Sequence, residues 1–248
     1  MLATINTNNS DVTIDLSKPL DISIVMSDST QNPLAWYLEK PEISPVQLGD
    51  WTGKVSQGAA VNFNNISFNP HAHGTHTECL GHITETFHSV NDALKSFFFM
   101  AEVITISPEL IGQDYVLTLA AIKQKLKGKI PKAVVIRTLP NTLSKTTRKY
   151  SNTNWPYLDH TAAAFLRDAG VQHLLIDLPS VDKEKDNGAL LAHKAFWNIP
   201  KAPRENATIT EFVYVNDSIK DGCYLLNLQV APFENDAAPS RPVLYELA

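Results

Sequence analysis

The chain has 248 residues, 44% of them hydrophobic and 19% charged, with a formal net charge of −5. That length and balance predict one soluble α/β or α+β domain spanning residues 1–248. Both signs of charge are spread without a basic stripe, which argues against nucleic acid or an anionic membrane surface as partner. No apolar run reaches the length of a bilayer span. The first ten residues carry no basic stretch and no long apolar core, so no secretory signal is expected. Two cysteines, Cys79 and Cys223, are too few for a disulfide framework, and a reducing, cytoplasmic setting fits them.

In chain order, residues 12–16 and 21–25 alternate apolar and polar side chains and read as strands. Residues 31–69 are rich in Pro, Gly and Asn and read as a long, mostly irregular segment. Long segments of this kind are often functional. Their aromatics Trp36 and Trp51 are either ordinary half-buried side chains or an apolar wall for a substrate. Residues 97–106 form a continuous apolar run and predict a buried strand. Residues 118–128 predict a helix capped by Thr118 and stopped at Gly128. Residues 133–138 read as a strand, 159–170 as a capped helix, 172–177 as a strand and 190–197 as a short helix. Residues 208–215 and 223–230 follow as strands, with 242–247 as a candidate edge strand. The strand–helix alternation in the middle predicts a layered α/β domain with parallel pairing, and the strand-rich ends predict a mixed or second small sheet.

The densest chemistry lies between residues 71 and 82. His71, His73, His76 and His82, four of the eight histidines, surround Glu78. Imidazole and carboxylate are the usual ligands of zinc and other first-row divalent ions. The alternative is a histidine-rich surface loop that binds metal adventitiously. If the segment is extended, His76 and Glu78 share a face about 7 Å apart and can reach one ion. His82 lies about 13 Å further along an extended chain, so a bend is required, for which Gly81 supplies freedom. Glu78 could bridge two ions, one held with an upstream histidine and His76, the other with His82 and a distant group. Cys79 is either a soft ligand or core packing. Ser180 lacks a nucleophile elbow, which excludes serine-hydrolase chemistry.

The stretch Gly74-Thr-His76-x-Glu78-x-x-x-His82 resembles the signature of the cyclase family of metal-dependent hydrolases, which includes bacterial kynurenine formamidases (arylformamidases). Residues 170–182, ending in Leu-Pro-Ser-Val-Asp182, resemble the family's second motif. The first histidine of the signature falls on Ala72, so His71 or His73 must take its place; His71 is preferred, for its longer loop to His76. Glu78 and Leu80 replace the usual Asp and Pro. The resemblance implies a swivelling β/β/α fold with a mixed sheet, and a homodimer or higher oligomer. It implies that His193 is the catalytic acid/base and that Glu211 joins His71, His76, Glu78 and His82 as a metal ligand. Asp177 and Asp182 are then expected to order loops or support ligands. Zinc is the first expected ion and manganese the alternative, as one or two ions. The implied activity is hydrolysis of a small-molecule amide, formamide or cyclic amide/ester, at a C–N bond other than a peptide bond. The nucleophile is water ionised by the metal, with Trp36 or Trp51 walling an aryl substrate. A metal-binding protein without catalysis, or a lactone-forming cyclase, would show the same residues.

Overall fold

The computed structural model describes residues 1–6 and 11–247. Nine strands form the main sheet among the described residues: β1 (Leu20–Asp21), β2 (His76–Glu78), β3 (Phe98–Ile106), β4 (Ala133–Thr138), β5 (His173–Ile176), β6 (Thr208–Glu211), β7 (Gly222–Asn227), β8 (Ala237–Pro239) and β9 (Val243–Glu246). Their order is β8-β2-β6-β5-β4-β3-β7-β9-β1. The four central strands β3 to β6 pair in parallel, and both flanks are antiparallel. The expected mixed sheet of an α/β fold is what forms.

Strand β4 shows why. All six of its residues are buried, as a strand covered on both faces requires. Val134 and Ile136 face a core shared with the helices α2 (Leu119–Leu126), α3 (His160–Asp168) and α4 (Leu191–Trp197). Ala133 and Val135 face a second core containing Val103, Leu175, Tyr224, Leu226 and Leu244. Side-chain alternation along the strand thus divides one apolar run between two cores. Thr118 caps α2 by accepting from Ala121 N–H at 3.3 Å, and Asp159 caps α3 by accepting from Thr161 N–H at 2.8 Å.

Several expected elements are corrected. Residues 31–69 are mostly irregular, as expected, but carry two short antiparallel ribbons: Glu42–Pro45 pairs with Asn64–Ser67, and Gln47–Leu48 with Trp51–Thr52. Of the strand expected at 21–25, only Asp21 is retained, in β1. Strand β9 is not an edge; it lies between β7 and β1. A small sheet of Glu109–Ile111, Asp114–Leu117 and Tyr157–Leu158 forms where no strand was expected. No helix among the described residues is long and apolar enough to cross a membrane.

Candidate metal centre

The site lies where the parallel sheet meets its antiparallel flank. Strands β2 and β6 run antiparallel, with His76 opposite Glu211 and Glu78 opposite Ile209. Directly opposed residues share a face, and residues two apart in a strand share a face. His76, Glu78 and Glu211 therefore project together, on the side where Ile209 joins the helix-covered core. Thr77 and Thr210 take the other face and hydrogen-bond at 2.8 Å. Thr75 pins this junction: its hydroxyl donates to the Phe212 carbonyl at 2.5 Å and accepts from Ile24 N–H at 2.8 Å.

Three further elements complete the site. The short helix α1 (Pro70–His73) brings His71, whose Nδ1 lies 3.2 Å from Glu78 Oε2. A 3-10 turn, Leu80–Ile83, folds His82 back until its Nε2 is 3.6 Å from the same oxygen. This is the required bend, but Gly81 serves it by close packing. A Cβ there would collide with the His88 carbonyl oxygen. Helix α4 brings His193, with Nε2 2.9 Å from Glu78 Oε1 and 3.7 Å from Glu211 Oε1.

Asp182 holds His193 in place. Its carboxylate accepts from His193 Nδ1 at 2.6 Å and from the backbone N–H groups of Ala192 and His193 at 2.7 and 3.1 Å. Leu190, at the start of α4, has φ 47° and offers no capping side chain, so Asp182 caps the helix from outside. Val181 N–H donates to Glu211 Oε1 at 2.8 Å, which fixes the second carboxylate.

Among the described residues, three buried atoms in this cluster have no hydrogen-bond partner: His71 Nδ1, His76 Nε2 and Glu78 Oε2. One donor atom from each of these three residues lies within 4.8 Å of the others. His76 Nδ1 is 3.0 Å from the Gly74 carbonyl, which can only accept, so the proton sits on Nδ1 and the lone pair on Nε2 faces the cluster. Buried polar atoms normally find partners. Two imidazole nitrogens and a carboxylate oxygen converging without one match the donor set of a first-row divalent ion. A second grouping, Glu78, His82 and His193, shares the central carboxylate.

Charge supports the same fit. Burial favours a neutral Glu78, but His82 and His193 hold its carboxyl well below its ordinary value. Burial likewise opposes a charge on His71, yet the Asp236 and Glu78 carboxylates push its imidazole up to about 10. Burial also opposes a charge on His193, and Glu78, Asp182 and Glu211 outweigh it to hold that ring well above its usual range. Without a cation the carboxylates are neutralised by imidazolium protons, which a divalent ion would displace.

His73, the alternative to His71, is occupied elsewhere. Its Nδ1 accepts from Asn69 N–H at 2.9 Å and its Nε2 donates to the Glu39 carbonyl at 2.8 Å. Cys79 packs with Val90, Ala93 and Ala238, and its thiol donates to the His88 carbonyl at 3.2 Å. Asp177 accepts from Thr138 N–H at 2.8 Å and from Lys145 Nζ at 2.7 Å, away from the cluster.

A cavity of about 310 Å³ opens onto the cluster, lined by Trp36, Leu38, Asn69, Ser180 and Leu190 together with His71, His82, His193 and Glu211. Trp36 has φ 58° and Tyr37 φ 61°, a conformation costly for bulky residues. The turn sets the Trp36 ring edge-on to Trp155, 5.1 Å between centroids. Trp51 is not part of this wall. It lies on the 47–52 hairpin beside Phe63, 6.4 Å between centroids. A larger hollow of about 780 Å³ lies beyond Trp155 and has no acidic or histidine side chain in its lining. Sequence reasoning missed Asp236, whose Oδ2 lies 3.0 Å from His71 Nε2 and 3.3 Å from His82 Nδ1. It is 154 residues from His82, and no local spacing marks it.

The family model described as "Putative cyclase" matches residues 14–183, more than half of the chain. No curated protein sequence matches. Among solved structures, a predicted metal-dependent hydrolase from Bacillus stearothermophilus is 17% identical, with a TM-score of 0.63, covering 92% of this chain and 98% of that one. An isatin hydrolase bound to the product analogue thioisatinate is 16% identical, with a TM-score of 0.67 and 93% of each chain covered. A novel cyclase is 13% identical, with a TM-score of 0.69, covering 94% of this chain and 88% of the other. At these identities the likeness is one of fold.

Proposed function

Because the chain belongs to the cyclase family, we propose that it is a divalent-metal-dependent hydrolase of small aryl amides, either N-formyl arylamines or cyclic aryl amides. The observation that carries this reading is the convergence of three unpartnered buried atoms, His71 Nδ1, His76 Nε2 and Glu78 Oε2, beside a cavity walled by Trp36. His71, His76 and Glu78 would hold a first ion; of the second grouping, Glu78 and His193 would hold a second, with Glu211 Oε1, 3.7 Å from His193 Nε2, in place of His82, which is kept for proton transfer. Zinc suits the nitrogen-rich set best and manganese is the alternative. A bound ion supplies Lewis-acid polarisation of a carbonyl and lowers the pKa of water toward neutrality.

The chain's own residues do the rest. Trp36, Leu38 and Leu190 present an apolar wall that orients an aryl ring and excludes water. The volume of about 310 Å³ is at the small end for ligand sites. Water oxygen adds to the carbonyl carbon, the C–N bond breaks, and the water proton is carried to the leaving nitrogen. The sequence resemblance gives that proton transfer to His193, but the geometry favours His82. Both His193 nitrogens face carboxylates in a fully buried position, as a fixed ligand requires. The His82 side chain is 30% exposed, lines the cavity and keeps Nε2 without a bonded partner, as a proton carrier requires.

The direct test is metal analysis of protein purified without chelator or affinity metal, followed by assays on an N-formyl arylamine and on isatin with zinc or manganese restored. Stoichiometric metal and turnover of either substrate are expected. A bound ion with no turnover of any amide, ester or lactone would make the protein a metal binder without catalysis.

A further inference from the structure

We propose that Asp236 is a positioning residue that assigns opposite tautomers to two histidines of the site. It accepts a hydrogen bond from His71 Nε2–H, leaving Nδ1 for a cation, and one from His82 Nδ1–H, leaving Nε2 as the proton carrier. The inference rests on the metal-hydrolase reading above.

The geometry is specific. A single oxygen, Asp236 Oδ2, lies 3.0 Å from His71 Nε2 and 3.3 Å from His82 Nδ1. An ionised carboxylate only accepts, so each of those nitrogens must carry its proton. The two rings stack at 4.2 Å with 26° between planes, so one oxygen reaches both edges. Their remaining nitrogens, His71 Nδ1 and His82 Nε2, both face Glu78 Oε2 at 3.2 and 3.6 Å. With the protons reversed, two lone pairs would face Asp236, and the cluster would lose the free nitrogen of His71.

The carboxylate is delivered rigidly. Asp236 directly precedes β8, which pairs with β2, the strand of His76 and Glu78. Its own carbonyl accepts from Cys79 N–H at 2.9 Å, and that of Asn235 accepts from Val90 N–H at 2.8 Å. The same sheet edge therefore fixes the inner ligands and the group that orients their neighbours. Outer carboxylates of this kind fix the ring orientation of metal-bound histidines.

The test is a long-range ¹H–¹⁵N correlation spectrum of histidine-labelled, zinc-loaded protein at pH 8, with zinc affinity measured by competition against a chromophoric chelator. In the unaltered protein, His71 is expected protonated at Nε2 with Nδ1 on zinc, and His82 protonated at Nδ1. Asp236→Ala should let the His82 proton move to Nε2 and weaken zinc binding about 10–100-fold. Asp236→Asn, which keeps an acceptor without the charge, should fall between. Asn235→Ala removes only the Nδ2 bond to the Ala237 carbonyl, and should leave both tautomers and the affinity unchanged. A His82 proton on Nε2 in the unaltered protein would overturn the inference. So would wild-type zinc affinity in Asp236→Ala, or an equal loss in Asn235→Ala, which would reduce the residue to a loop anchor. Failure of the unaltered protein to take up any divalent ion would instead sink the metal-hydrolase reading itself.

Discussion

At the scale of single residues, Glu78 is the point on which the centre turns. It is fully buried, and its Oε1 is engaged by His193 while its Oε2 is left for a cation. A buried carboxylate is tolerated only with positive charge beside it. Glu78→Gln keeps the shape and removes the charge, so metal content should drop to a trace, a loss of more than about 100-fold in affinity and larger than for an outer partner. Elemental analysis of the purified variant reads this directly. His82→Ala should keep the metal and lose turnover by about 10²–10⁴-fold, the usual worth of a positioned acid/base. His193→Ala should lose metal as well as turnover. Full occupancy in His193→Ala would return the proton-transfer role to that residue. The identities at 71, 76, 78 and 82 were readable as a candidate site because such residues seldom cluster by composition alone. The partnership with Asp236 was not, since it joins opposite ends of the chain.

At the scale of elements, alternation along β2 and its register with β6 place three side chains on one face without any loop adjustment. The 3-10 turn that follows depends on Gly81, which packs against the His88 backbone. Gly81→Ala should cost about 1–3 kcal/mol, the range for overpacking a tight interior. Because the strain falls on the turn carrying His82, kcat should fall while metal content holds. Denaturant unfolding and steady-state kinetics on the same sample check both halves. The helices α2 and α3 were legible from their caps and α4 as a short helix, and each lies within its expected bounds. The strands β2 and β8, three residues each, were not. A three-residue strand has no periodicity to detect; it exists because a neighbouring strand supplies its hydrogen bonds.

For the molecule as a whole, acid stability should follow a group outside the metal centre. His173 opens β5 with its Nδ1 2.8 Å from Thr208 Oγ1 and its ring against Phe99, 4.0 Å between centroids. Burial, with the charges of Arg204 and Lys132, lowers its imidazole to about 3. The folded state then binds fewer protons than the unfolded state between about pH 3 and 6.5, so stability rises with pH there. The contribution is complete above about pH 6.5 and is lost as the pH falls toward 3, at up to about 1.4 kcal/mol per pH unit. His173→Gln should flatten that slope by close to one proton, as measured by denaturant midpoints at pH 6 and pH 4. An unchanged slope would show that other groups carry the acid response.

What the amino-acid sequence determined by itself was local and repetitive: the buried parallel strands, the capped helices, and a ligand chemistry dense enough to declare itself within twelve residues. Those features follow from side-chain periodicity and from donor type, which act over a few neighbours. Only the tertiary structure decided that His73 is spent on the backbone, that Trp51 lies off the wall, and that Asp236 and Asp182 stand behind the imidazoles. It also decided which nitrogen of each ring faces the cluster. These depend on hydrogen bonds between segments far apart in the chain, and such bonds exist only once the sheet has brought its edges together.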